Sequence, residues 1–204
     1  MAATTDATRS THVTGGVNTA FDVFLVAGQS NSHHGATLDS GTDVGHERLL
    51  QWGRTAPNDA VIIAAPEPLD HVDRQGPKIG YAVAWARDYY IPNLLTGGRS
   101  VLLVPSAEGS TGFSNSKWND GDVRYEDAVA RMLAAKSSRP GNAIKGVLWH
   151  QGETDQVAGV AAATSRTKLE AMIAAMRTDF SNANLPFILG GITAWSVGQA
   201  NGPA

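Results

Sequence analysis

A serine set where a buried strand runs out can act as a nucleophile, and Ser30 has that placement. It stands in Gly28-Gln29-Ser30-Asn31, directly after the apolar run from Phe21 to Ala27. The glycine before it permits a tight turn and the asparagine after it tolerates one. The hydroxyl is therefore expected at the C-terminal edge of a strand, where α/β proteins place their sites. A second polar group, Trp149-His150-Gln151-Gly152-Glu153-Thr154-Asp155, follows the apolar segment Ala143 to Leu148, and a third, Glu108-Gly109-Ser110-Thr111 with Trp118 downstream, follows Val101 to Val104. Each residue taken singly has a plainer reading. Ser30 suits a turn or an N-cap, Gly109 a loop, Trp118 a packing position, and Gln151 and Glu153 satisfied polar groups at a strand end. Three such groups at successive strand ends make Ser30 a candidate nucleophile, for which a base and an oxyanion site must still be found.

The first block is not the Gly-x-Ser-x-Gly nucleophile elbow, because Ser32 stands where its last glycine belongs. It resembles the Gly-Gln-Ser-Asn block of the SGNH hydrolase superfamily, in the sialate O-acetylesterase-like, carbohydrate acetylesterase (family 6-like) branch, where a methionine often occupies the Ser32 position. Trp149 to Asp155 is similar to that branch's Trp-x-Gln-Gly-Glu-Ser-Asp block, with Thr154 for serine, and Gly109-Ser110-Thr111 resembles its Gly-Gly-Thr block, with Ser110 replacing a glycine. Gly76-Pro77 is a softer match.

The resemblance implies a serine esterase that removes O-acetyl groups from a carbohydrate through an acetyl-enzyme on Ser30, with no metal and no organic cofactor. It implies oxyanion donors at the backbone N–H groups of Ser30 and Gly109 and at the side-chain amide of Gln151. One such donor contributes about 3 to 4 kcal/mol. Glu153 becomes a candidate for the acid that orients a histidine, and Gln29, Asn31, Trp118 and His150 become candidates for substrate contact. Asp155 is expected to cap the helix or loop after it.

The general base is harder to place. The histidines are His12, His33, His34, His46, His71 and His150. SGNH enzymes carry theirs in a C-terminal Asp-x-x-His block, and nothing like it follows Gly191. The expectation is therefore a domain lacking its C-terminal segment. An internal replacement is disfavoured: His150 and Gln151 point to opposite faces if the strand continues, and His33 and His34 follow Ser30 too closely to reach back. With no spacing to a further ligand that resembles a zinc site, His33 and His34 read as surface residues. Other SGNH chemistry, lipase or thioesterase, and a non-catalytic glycan-binding domain are the alternatives.

The elements that must position these residues are set by hydrophobic pattern. Apolar segments at 21 to 27, 61 to 65, 100 to 104, 144 to 149 and 186 to 191 read as buried strands. Helical periodicity covers Ile79 to Tyr90, Tyr125 to Ala135 and Ala161 to Phe180, the last with Leu169, Met172, Ile173 and Met176 as its apolar stripe. Strands alternating with helices predict a three-layer α/β/α sandwich around a central, mostly parallel five-stranded sheet, SGNH/flavodoxin-like. Residues 31 to 60 and 106 to 122 read as strand-end loops, the latter carrying aromatic and amide groups suited to a sugar. Residues 1 to 20 read as a flexible leader or linker to a possible neighbouring domain, and 21 to 204 as the esterase domain.

A net charge of -3, a pI near 6.0 and no Lys/Arg cluster argue against nucleic acid and anionic membrane surfaces as partners. The first twenty residues lack a signal-peptide core. The expected location is cytoplasmic, or extracellular or periplasmic if a targeting segment has been removed. The absence of cysteine excludes disulfides and thiolate metal sites.

Overall fold

A computed structural model describes residues 20–74 and 76–191 of the 204-residue chain. The leader expected over 1 to 20 lies, apart from Ala20, outside the described residues. In chain order the strands are β1 (Phe21–Gly28), β2 (Ala36–Thr37), β3 (Leu49–Trp52), β4 (Ile62–Ala64), β5 (Lys78–Ile79), β6 (Ser100–Pro105), β7 (Ala143–His150) and β8 (Phe187–Leu189). The helices are α1 (Ala82–Trp85), which continues through a π turn at Ala86–Tyr90 into α2 (Ile91–Asn93), then α3 (Val123–Ser137), α4 (Glu153–Val157) and α5 (Ala162–Asp179).

β1 is buried at every position. Its alternate side chains enter different layers: Phe21, Val23, Leu25 and Ala27 join one apolar cluster, Phe24 and Val26 the other. A strand apolar on both faces belongs in the middle of a sheet covered on both sides. The six-stranded sheet has the order β4-β3-β6-β1-β7-β8, parallel throughout except for the β3/β4 pair. β2 and β5 form a separate antiparallel pair.

On the first face, α3 buries Tyr125, Ala128, Val129, Met132 and Ala135, one stripe of a 3.6-residue period. α5 adds Met172 and Met176, with Leu169 and Ile173 partly buried against the same cluster, as the sequence pattern predicts. On the second face, Ala82, Val83, Ala86, Tyr90 and Ile91 cover Phe24, Val26, Leu103 and Leu148. Met132 has no exposure. Replacing it with alanine would open a cavity between α3 and the sheet, at a cost of about 3 kcal/mol.

Two expectations need correction. The sheet has six strands, because β3 lies inside the stretch 31 to 60 that reads as loop. Its run Leu49-Leu50-Gln51-Trp52 is interrupted by a polar residue and flanked by charge, which hides it from a periodicity count. Gln51 is nonetheless fully buried, its amide donating to Ala64 O (3.1 Å) and its carbonyl accepting from Asp70 N (2.8 Å). The helix expected from Ile79 starts at Ala82, because Ile79 pairs with Ala36 in the small sheet.

Both neighbours of β1, β6 and β7, lie later in the chain and on opposite sides of it. The chain therefore changes direction across β1 after leaving β6. In open α/β sheets that reversal leaves a crevice at the strand's C-terminal end, which is where Ser30 stands.

Candidate active site

Gly28 closes β1 with φ 121°, and a Cβ there would lie 2.1 Å from the His150 carbonyl oxygen, so only glycine lets β1 and β7 end this close together. Gln29 N then donates to His150 O (2.8 Å), and the chain winds into a 3-10 turn over Ser30–Ser32. The N–H groups of His33 and His34 both donate to Ser30 O, at 2.9 and 2.6 Å, while Ser32 Oγ donates back to Ala27 O (3.1 Å). Local backbone bonds thus fix a half-buried Ser30 at the crevice.

The turn after β7 is tied to this one. Gln29 Oε1 accepts from Thr154 N (3.1 Å) and Gly152 N (3.4 Å), and Asn31 Nδ2 donates to Glu153 Oε1. His150 Nε2 lies 3.6 Å from that same oxygen. Asn31, His150 and Glu153 are therefore gathered beside Ser30. Gln29 is only 4 % exposed with its side chain committed to the 152–154 turn, which corrects the expectation that it meets substrate.

Gln151 points away from His150, as strand alternation requires. Its amide donates to Asp155 Oδ2 (2.8 Å) and to Thr111 O (3.5 Å). Asp155 is 1 % exposed and also accepts from Phe113 N (3.1 Å) and Ser114 N (2.7 Å), so it organises the loop after β6 instead of capping a helix or loop downstream. Trp118 has no exposure at all. Its Nε1 donates to Thr111 Oγ1 (2.8 Å) and its ring stands edge-on to Trp149 at 5.0 Å. The expected sugar contact at Trp118 is thereby corrected: the indole packs beneath the loop. A cleft of about 580 Å³ opens beside Gln151, lined by Phe113, Trp149, Gln156, Val160 and Arg166 among others.

Gly109 faces Ser30: a Cβ built on it would lie 3.8 Å from Ser30 Cβ and 2.7 Å from Asp73 Oδ2. Its N–H donates to that Asp73 oxygen at 2.8 Å. Two of the three expected oxyanion donors, Gly109 N–H and the Gln151 amide, are therefore directed at carboxylates in this structure. The next residue, Ser110, adopts φ 58°, a left-handed conformation in which glycine fits without strain.

Asp73 is a site neighbour that sequence reasoning missed, since it lies in an irregular loop without a motif around it. It stands against the two histidines that follow Ser30. His33 is 5 % exposed, which overturns its reading as a surface residue, and its Nε2 is 2.9 Å from Asp73 Oδ1. Burial first, and then His34, pushes the His33 imidazole down to about 3, so it is neutral at ordinary pH and the approach to Asp73 is not an ion pair. His71, fully buried behind it, is lowered too, chiefly by burial and secondly by His33, and its Nδ1 accepts from Ala107 N (3.1 Å). Ligand atoms of His33, His34 and Asp73 all lie within 4.8 Å of one another. Among the described residues no helix is long and apolar enough to cross a membrane.

Known proteins share this architecture. The chain is similar to the crystal structure of NanS, with a TM-score of 0.74 at 22 % identity, over 89 % of this chain and 70 % of that one. It is similar to a solved Arabidopsis thaliana protein at TM-score 0.71 and 24 % identity, covering 89 % and 80 % of the two chains. A carbohydrate acetylesterase from Xanthomonas citri has a TM-score of 0.55 at 20 % identity, covering 82 % and 40 %. At these identities the likeness is one of fold. By sequence, a probable carbohydrate esterase of Arabidopsis thaliana is 30 % identical over 183 residues, which is 81 % of this chain and 66 % of that protein's length. Residues 20–202 match the family described as carbohydrate esterase, sialic acid-specific acetylesterase. The chain belongs to that carbohydrate esterase family.

Proposed function

We propose that this chain is a serine esterase that removes O-acetyl groups from a carbohydrate. Ser30 Oγ attacks the acetyl carbonyl and its proton passes to an imidazole. The C–O bond to the sugar then breaks, the sugar oxygen takes that proton, and water releases acetate from the acetyl-enzyme by the same route. The observation that carries the reading is the position of Ser30 at the sheet's reversal point, beside Asn31 and Glu153, in a chain of the carbohydrate esterase family.

Gly109 N–H and the Gln151 amide serve the oxyanion in this reading, once an incoming carbonyl displaces Asp73 from Gly109 and rotates the Gln151 amide. Asn31 is exposed and His150 is partly exposed, so both are open to substrate. His33 is a poor base, because an acceptor near pH 3 has little pull on a serine proton at neutral pH. His150, already near Glu153, is the imidazole to test.

The experiment is acetate release from an O-acetylated glycan panel by the chain and by Ser30→Ala and His150→Gln. Ser30→Ala is expected to lower turnover about 10³-fold or more with no change in thermal stability. Equal rates in Ser30→Ala and the parent chain would overturn the serine mechanism. If His150→Gln falls as far as Ser30→Ala, His150 takes the proton. If it keeps its rate, a group of the assayed chain other than His150 takes the proton.

A further inference from the structure

We propose that His33, His34 and Asp73 form a binding site for one divalent transition-metal ion of the zinc class, next to Ser30. The groups converge from two parts of the chain. His33 and His34 are held by the N–H bonds both make to Ser30 O, and Asp73 is held by Gly109, whose N–H donates to Oδ2 at 2.8 Å. That bond leaves Asp73 Oδ1 turned toward the histidines, 2.9 Å from His33 Nε2.

These atoms are buried and lack hydrogen bonds. Among the described residues, His33 Nε2, His34 Nε2 and Asp73 Oδ1 are all enclosed with no hydrogen-bond partner, although the His33 and Asp73 atoms are close enough for one. Orphaned buried polar atoms are costly and call for an explanation. A cation supplies it, because each of the three has a lone pair to donate. In a tetrahedral zinc site with bonds of about 2.0 to 2.2 Å, adjacent ligand atoms stand about 3.3 Å apart, so atoms now within 4.8 Å of one another would have to draw together by at most about 1.5 Å.

Two imidazoles and one carboxylate suit zinc, cobalt or nickel better than magnesium or calcium, which prefer oxygen. The Gly109 N–H bond orients the carboxylate as an outer-shell partner of a metal ligand does. His71 is not part of the set. Its Nδ1 accepts the Ala107 N–H, so in the neutral ring Nε2 carries the proton and offers no lone pair. A depression of about 510 Å³, lined by Thr55, His71, Val72 and Asp73 among others, adjoins the Asp73 side.

The test uses the full 204-residue chain, free of any affinity tag and stripped with EDTA. ZnCl₂ is titrated by calorimetry and CoCl₂ by visible absorption, with MgCl₂ as the control. One equivalent of zinc is expected, together with cobalt bands of a nitrogen- and oxygen-ligated site, no magnesium binding, and a Tm rise of about 5 °C with zinc at a hundredfold excess over Kd. His33 is buried enough that its replacement could disturb folding, so the discriminating variants are His34→Gln and Asp73→Asn, checked by the Tm of the stripped protein. Each is expected to weaken zinc at least tenfold, whereas His46→Gln leaves it unchanged. Absence of a single zinc equivalent, equal magnesium binding, or unaltered affinity in both variants would overturn the proposal.

Discussion

The two walls of the crevice at Ser30 are built on opposite terms. On the β7 side, Asp155 accepts from Gln151, Phe113 and Ser114, Trp118 donates to Thr111, and Thr111 Oγ1 donates to Glu108 O (2.7 Å). Within this Asp155 and Thr111 network the polar groups answer one another, although His150 Nε2 and Glu153 Oε2 at the same strand end find no hydrogen-bond partner among the described residues. On the other side His33, His34 and Asp73 bring buried polar atoms together without hydrogen bonds between them. A satisfied network in a low-dielectric interior rigidifies its surroundings, while an unsatisfied one stores free energy that a ligand can release. The first wall holds the site in shape, and the second is poised to take something up.

The strongest way to break this contrast is Asp155→Ala. It strips a buried carboxylate from three donors at once, and a loss of about 4 kcal/mol is expected in urea unfolding. A loss below about 1 kcal/mol would mean that the β7-side network is not the scaffold. The pH dependence comes next, from a carboxyl behind the histidine wall. Glu67 is 8 % exposed and accepts from Leu69 N and Gly80 N, yet burial, the largest cause, raises it from 4.5 to about 7. The native state then holds the proton more tightly than the unfolded chain. Its contribution is complete below pH 4.5 and disappears as pH rises through about 7, a fall of about 3 kcal/mol. Glu67→Gln should remove that slope, so unfolding curves at pH 5 and pH 8 should lie closer together in the variant than in the parent.

Trp118→Phe removes one buried N–H donor while keeping most of the ring. A loss of about 1 kcal/mol is expected, with KM for an O-acetylated glycan unchanged because no part of Trp118 reaches solvent. A raised KM at unaltered stability would restore Trp118 to the substrate surface. The smallest effect is expected on the unsatisfied wall. In metal-free protein His34→Gln should shift stability by less than about 0.5 kcal/mol, because His34 Nε2 has no hydrogen bond to lose. A large loss there would show that both walls are scaffold.

Much of the site's frame was legible in the chain because it depends on short-range pattern. The apolar runs of β1, β6 and β7 end where Ser30, Gly109 and Gln151 begin, and α5 shows its stripe at helical spacing. β3 was not legible: four residues with a glutamine among them carry too little periodicity, and what makes them a strand is the neighbouring β6 and the partners that Gln51 finds in Ala64 and Asp70. Trp118 misled for a related reason. A tryptophan among amides in a glycine-rich loop suits a sugar or a core equally well, and only the position of Thr111 and Trp149 beneath that loop decides between them.

By itself the sequence determined where the strands end and that a serine, a glycine and an amide stand at three of those ends, because burial on both faces of a parallel sheet demands continuous apolar runs. Only the tertiary structure decided what surrounds them. Asp73 reaches Gly109 and His33, and Glu153 reaches Asn31, across long stretches of chain. Such meetings depend on the order β4-β3-β6-β1-β7-β8 and on which loops converge at its reversal, and no local propensity encodes them. The burial that leaves His33 neutral is likewise a property of the packed loops, since a histidine two residues beyond an exposed Asn31 carries no mark of it in sequence.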